Sequence, residues 1–424
     1  MRIGIVSYWF NRGQGVVARQ LRSALERLGH ETFVLARPTR ETNIRPSWVD
    51  REGVWAQPGV TAASGYEIPW DDYAAWAEAN SPDLVLWDQN YGFEEIARLR
   101  RSGIRTAGRF VWEQFSAKHV GPALEAFDAV YSLTACERDR YRELGIDSPR
   151  VRWGIHPELL EEHMPGTSSA PLPEEPTPST SSAPLPGVPG SEAGRGSGRP
   201  AWNPAAPGRE AEEADGVCTF LFPGGFMSRR KPIADVIEAF RAVDDERIRL
   251  VLKAQVERRK REVRRLLRGG RLLGGRDRRI EVVRADLPTD EYLRLFASAD
   301  VCLAPSRWEG LGLHLYEATA FGMPIVTNDN PPMNEIVADG VNGLLVPGIP
   351  DGEARSGIPA FRPDRAELTK AIERLTDPAT RSTLAEGARR RREELSWETT
   401  LADLDRLIGS LAAGPATAGR RSGG

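Results

Sequence analysis

The sequence predicts an α/β protein of two Rossmann-like domains facing each other across a cleft. Three observations predict it. Strand and helix patterns alternate in two separate series, a Pro/Ser/Gly-rich stretch divides the series, and 424 residues exceed what one core usually organises. With 40% hydrophobic and 28% charged residues, the composition is that of an ordinary globular cytosolic protein. The formal charge of −3 excludes a uniformly basic nucleic-acid binder. Cys136, Cys218 and Cys302 stand far apart in apolar contexts and match neither a disulfide framework nor a zinc ligand set, so they are expected as small buried side chains. The opening MRIGIVSYWF lacks a signal-peptide layout, and no apolar run approaches the ~18 residues that span a bilayer. A cytoplasmic setting is expected, including the inner membrane surface.

Residues 2–7 read as a buried parallel strand, followed by a loop, FNRGQG (10–15), and a helical pattern from Val16 to Leu28. Further strands are predicted in HETFVLA (30–36), PDLVLWD (82–88), GIRTAGRFV (103–111) and FDAVYSLT (127–134), completing a first domain over 1–163. From 164 to 216 the composition changes: eleven prolines fall between Pro165 and Pro207, and SSAPLP occurs at 168–173 and 181–186. Such a segment cannot bury enough apolar area to offset its ordering entropy, which predicts a disordered linker. Order resumes with strand 217–225, helix 234–243 and strand 248–254, then strand 280–285, helix 289–299 and strand 301–305. The loop RWEGLG opens another helix before strand 324–328. The second domain is expected over 217–395, a terminal helix over 396–412 and a flexible tail over 413–424.

The sharpest local signal runs from Glu309 to Glu317. Gly310 and Gly312 let a ligand approach the main chain closely, and the helix starting near Leu313 points N–H groups and its positive end into the loop, a ready diphosphate site through residues 310, 311, 312 and 313 (Gly310, Leu311, Gly312, Leu313). Glu317 is set to accept a pair of vicinal hydroxyls and Glu309 to meet the sugar end of the same ligand. Both could instead be helix-start charges favoured by the dipole, but two of them bracketing two glycines favour a ligand.

The block PSRWEGLGLHLYEATAFGMPIVTNDNPPMNEIVADGVNGLLV (305–346) resembles the glutamate–seven–glutamate motif of glycosyltransferase family 4, the retaining enzymes of the GT-B fold. LPTDEYLRLFASADVCLAPS upstream and SWETTLADL near the C-terminus resemble that family too; the likeness is strong over 217–407 and mainly architectural over 1–160. The resemblance implies a retaining transferase in which Glu309 contacts the donor sugar, Glu317 the ribose hydroxyls and main-chain amides the diphosphate. It implies a nucleotide diphosphate sugar as donor substrate and no cofactor, with a saccharide, lipid or small molecule as acceptor. In the loop GGFMSRRKP (224–232), Lys231 matches the family's lysine. Phe226 replaces the family's arginine, leaving Arg230 or Arg229 to supply the charge on the leaving diphosphate. The catalytic set expected is therefore Glu309, Lys231 and Arg230. No Asp-x-Asp motif stands in a suitable loop, so no metal is expected.

In the first domain, Gly13 and Gly15 would admit a phosphate or acceptor near a helix start. The family's cleft histidine has no match; Asp88, Gln89, Arg109, Trp112 and Glu113 stand on those loops instead. Trp112 and Glu113 are either acceptor contacts or core and rim. His314 lies inside the glutamate motif, and His156 is expected to be structural. Residues 258–279 hold eleven basic side chains against two acids, either a solvated basic face or a contact with an anionic membrane surface; no nucleic-acid partner is expected. Two alternatives remain beside the transferase: a non-catalytic nucleotide-sugar-binding protein of the same fold, and a nucleotide-sugar epimerase or hydrolase.

Overall fold

A six-stranded parallel sheet organises the N-terminal part. Its strands are β1 (Arg2–Tyr8), β2 (Glu31–Arg37), β3 (Val60–Ala62), β4 (Leu84–Asp88), β5 (Arg105–Arg109) and β6 (Ala129–Val130), in the order β3-β2-β1-β4-β5-β6. Ile3 to Ser7 are all buried, as a strand covered on both faces requires. Between the strands run helices α1 (Gly13–Arg27), α2 (Trp70–Asn80), α3 (Phe93–Arg101), α4 (Val120–Ala126) and α5 (Ala135–Glu143), and the short α6 (Glu158–Glu161) follows. The structure, a computed structural model, describes residues 1–40, 48–161, 216–226, 229–255, 277–284 and 287–413. The predicted linker, apart from Gly216, the tail beyond residue 413 and the basic stretch up to residue 276 lie outside the described residues.

The second sheet repeats the plan. Strands β7 (Cys218–Phe226), β8 (Ile248–Gln255), β9 (Ile280–Val283), β10 (Val301–Leu303), β11 (Ile325–Asn328) and β12 (Gly343–Val346) are all parallel, in the order β12-β11-β10-β7-β8-β9. Its helices are α7 (Ile233–Ala242), α8 (Thr289–Ala297), α9 (Leu313–Ala320) and α10 (Met333–Ile336). Both sheets reverse strand order once, between β1 and β4 and between β7 and β10, the place where open α/β sheets take ligands. This is the GT-B architecture. An antiparallel hairpin, β13 (Gly348–Glu353) with β14 (Pro359–Pro363), then leads to α11 (Arg365–Arg374), α12 (Pro378–Glu394) and α13 (Trp397–Ala413).

Helix α13 returns to the first sheet's side of the molecule. Arg152 donates to Asp403 at 2.7 and 2.9 Å, and the Gly154 N–H donates to Thr400 Oγ1 at 2.8 Å. Trp397 stands edge-on to Trp153 and to His156. Burial pushes the His156 imidazole down to about 4, so it packs as a neutral ring, the structural part expected for it. A β-carbon at Gly154 would meet the Ser396 carbonyl oxygen at 2.5 Å, so only glycine allows this approach.

Two expectations are corrected. Helix α1 starts at Gly13, so Gly13 and Gly15 belong to its first turn rather than to a loop ending at residue 15. The strand expected over 127–134 is only two residues long. The sequence reading also passed over β3 and the β13–β14 hairpin, in which exposed residues interrupt any apolar run. The three cysteines are free and buried. Among the described residues no helix is long and apolar enough to cross a membrane.

Candidate active site

The site forms where the loop after β10 meets the loops after β1 and β5. Gly312, with φ of 78°, is the N-cap of α9 in the left-handed region, which explains the glycine there. No side chain caps this helix and no acid stands in its first turn, so its positive end faces the loop uncompensated. Opposite stands the start of α1: a β-carbon on Gly13 would lie 3.8 Å from Leu313 Cδ1. Gly15 plays a different part, because a side chain there would collide with the Phe10 carbonyl oxygen. Leu311 is buried in the core and Leu313 packs against it half-buried, so these two contribute main chain rather than side chain to the loop surface.

Glu309 is buried and meets three cationic or imidazole groups. Lys231 Nζ donates to its Oε1 at 2.6 Å and to Ser306 Oγ at 2.9 Å. Arg230 lies 3.4 Å from Oε2, and His314 Nε2 3.9 Å from Oε1. Burial alone would raise the Glu309 carboxyl, but the charges of Arg230 and Lys231 outweigh it and hold the group well below the usual carboxylate range. Burial pushes His314 down to about 3, leaving a neutral imidazole. Arg307 fastens the basic loop: its N–H donates to the Arg230 carbonyl at 2.9 Å and its side chain to the Arg229 carbonyl at 3.1 Å. The sequence reading missed Arg307 and Ser306, although both directly precede the Trp308–Glu309 pair.

Glu317 accepts from the Tyr292 hydroxyl at 2.9 Å, and burial pushes its carboxyl up to about 7. Its helix packs against α6, so Glu317 lies where the two halves of the molecule meet. Tyr292 was not singled out in the sequence, although it stands within the family-like stretch LPTDEYLRLFASADVCLAPS.

From the first domain, Trp112 is buried and its indole Nε1 donates to the Glu309 carbonyl at 2.6 Å, an interdomain strut. Glu113 Oε1 lies 3.6 Å from Arg230, so Arg230 spans two carboxylates, one on each domain. Glu113 Oε2 is buried without a partner, and a β-carbon on Gly310 would stand 3.2 Å from it. Burial raises the Glu113 carboxyl to about 7 against an ordinary 4.5, with Arg230 opposing. Between those values the folded chain holds more protons than the unfolded one, so stability falls as pH rises. Glu113→Gln is expected to remove this slope: wild type loses its stability advantage over the variant from about pH 4.5 to about pH 7, as urea unfolding across that range will read. A constant difference would show that Glu113 titrates normally.

Asp88, Gln89 and Arg109 lie deeper. Arg109 is buried between Glu137 at 2.6 Å and Asp88 at 3.1 Å, and Gln89, with φ of 52°, accepts from the Val111 N–H at 2.8 Å. These residues shape the loop that carries Trp112 and Glu113. Among the described residues no group of three or more His, Cys, Asp or Glu side chains is arranged to hold a metal ion.

Residues 218–376 match the family Glycosyl transferases group 1. The D-inositol 3-phosphate glycosyltransferase of Acidothermus cellulolyticus is 32% identical over 115 residues, 27% of this chain and 22% of that protein. The chain thus spans less than a third of the length of the curated relatives it matches. Sucrose-phosphate synthase from Thermosynechococcus elongatus superposes with a TM-score of 0.64 at 19% identity, covering 97% of this chain and 99% of that one. The Anabaena protein HepE, solved in complex with UDP and glucose, gives 0.62 at 14% identity, over 98% and 100%. At these identities the two structures establish the fold alone, and the likeness to Glycosyl transferases group 1 spans residues 218–376.

Proposed function

We propose that this chain is a retaining glycosyltransferase that moves a sugar from a nucleotide diphosphate donor to an acceptor held by the first domain. The observation that carries the reading is the convergence of Lys231 and Arg230 with Glu309 beside the uncapped start of α9, facing the start of α1. In this reading the amides of residues 310–313 and the two cations receive the diphosphate, Glu309 the sugar and Glu317 the ribose hydroxyls. The matched Glycosyl transferases group 1 segment contains all of these residues, and the Anabaena structure's bound UDP supports a nucleotide ligand in this fold.

Cleavage of the sugar–phosphate bond develops negative charge on the diphosphate. A preorganised cation in a water-poor site stabilises that charge more than water does. Lys231 meets this need: burial lowers its pKa while Glu309 counteracts, and its Nζ is already fixed on two acceptors. The reaction then needs positioning and leaving-group stabilisation more than a protein nucleophile.

Glu317→Ala is expected to weaken UDP or GDP binding by roughly tenfold, since leaving a buried hydrogen-bonding group without its partner costs about 1–3 kcal/mol. Titration calorimetry on the full chain measures it, and wild-type affinity in the variant refutes the ribose role. Transfer is expected to persist in EDTA and to keep the anomeric configuration, read from the product's anomeric coupling by NMR; inverted product overturns the retaining assignment. Free sugar released from the donor without transfer would favour a hydrolase.

A further inference from the structure

A second polar cluster stands at the C-terminal edge of the first sheet. Arg37 ends β2 directly across from Tyr8, which ends β1, so the two side chains share a face. The Arg37 side chain is buried, with its guanidinium carbon 4.3 Å from the Tyr8 ring centroid and 4.9 Å from that of Tyr66. The two phenol oxygens lie 3.3 Å apart. Burial raises the Tyr8 hydroxyl to about 12, so it stays protonated and able to donate.

Arg37 is an unusual cation. Among the described residues no carboxylate comes within ion-pairing distance of it, and its Nε is buried without a hydrogen-bond partner. Buried charges are ordinarily paired, because desolvation otherwise costs several kcal/mol. Asp88 reaches Arg37 only through the field of its charge, its Oδ1 accepting from Arg109 at 3.1 Å, and Glu67 pairs with Arg40 at 3.1 Å. Beyond Tyr8 an aromatic wall continues through Phe10, at 5.2 Å, to Trp48, 5.3 Å further and 44% exposed. The β1–α1 connection that carries Phe10 also brings Gly13 to Leu313 at the start of α9.

We infer that this cluster is the acceptor subsite and takes a saccharide bearing an anionic group, a phosphate ester or a carboxylate. The anion sits on Arg37 and the hydroxyls of Tyr8 and Tyr66, and the sugar ring lies along Phe10 and Trp48. The assignment deepens the transferase reading and rests on it for the word acceptor, but its binding chemistry is separately testable. Arg37 supplies a forked, permanently charged donor, and aromatic faces suit the apolar side of a pyranose.

The test uses the full chain with its donor side filled by UDP or GDP, whichever raises the melting temperature. Glucose 6-phosphate, glucuronate and glucose are then titrated by calorimetry, the first two distinguishing phosphate from carboxylate. At least one anionic sugar is expected to bind roughly tenfold or more tighter than glucose. Arg37→Met should erase that preference while leaving nucleotide affinity within about twofold, and Arg37→Lys should keep part of it. If Arg37→Met does not fold by circular dichroism, Tyr66→Phe replaces it, with a several-fold loss of anion affinity expected. Equal binding of glucose and the anionic sugars, no binding by either anionic sugar, or unchanged anion affinity in the folded variants overturns the inference. Should neither nucleotide bind, the donor reading fails on its own, and the anion preference is still scored on the chain without nucleotide.

Discussion

Lys231→Met is expected to lower kcat/KM for sugar transfer by roughly 10²–10³, the effect of removing one preorganised donor from a developing oxyanion. Methionine keeps the unbranched stem, so the change removes charge with little loss of packing. The ammonium offsets the buried Glu309 carboxylate at 2.6 Å, and in the proposed reaction it also presents a cation where the diphosphate departs. Loss of the first function alone would lower the melting temperature and leave the rate of the folded fraction intact. Loss of the second lowers kcat in enzyme that is folded and saturated with donor. Steady-state kinetics at a temperature where both proteins are folded separates them. A kcat/KM within about fivefold of wild type would place the leaving-group cation elsewhere, with Arg230 first in line.

Glu137→Ala is expected to cost about 3–5 kcal/mol of stability, because it strands a buried guanidinium. Glu137 is fully buried against Arg109 at 2.6 Å and also accepts the Leu133 N–H at 2.8 Å. Only Asp88, at 3.1 Å and with its second oxygen unpartnered, would be left to face the charge. Urea unfolding followed by tryptophan fluorescence reads the loss. A change below about 1 kcal/mol, the scale of an exposed ion pair, would mean that water reaches Arg109.

Most of the architecture was legible because the buried strands are short apolar runs bounded by turn residues: RIGIVS, DLVLW and RLVLKA announce themselves. Residues 60–62 do not, since β3 sits at a sheet edge with two of its three residues exposed, and the hairpin at 348–363 mixes Pro, Gly and charge. The helix start at Gly13 was misjudged because two glycines in six residues read as a loop, whereas Gly15 is required by the Phe10 carbonyl pressed against it.

The site was legible on one side only. Glu309, Glu317 and the glycines between them lie within nine residues, so spacing alone exposed them. Arg230 and Lys231 arrive from a different strand, and only the family resemblance placed them nearby. Trp112 and Glu113 were named from their loop, but not the long-range contacts they make, Trp112 with the Glu309 carbonyl and Glu113 with Arg230; Tyr292 was not singled out at all. Phe226 ends β7, where the resemblance expects an arginine; its backbone pairs with Gln255.

The return of α13 has a consequence for how the molecule is made. Arg152, Trp153 and Gly154 make these contacts with Asp403, Trp397 and Thr400, far later in the chain. During synthesis the first sheet's side of the molecule must therefore wait for residues 397–403 to emerge before these contacts close. A ribosome stalled at about residue 390 would hold a nascent first domain lacking these contacts, with the apolar surface they cover left open to aggregation.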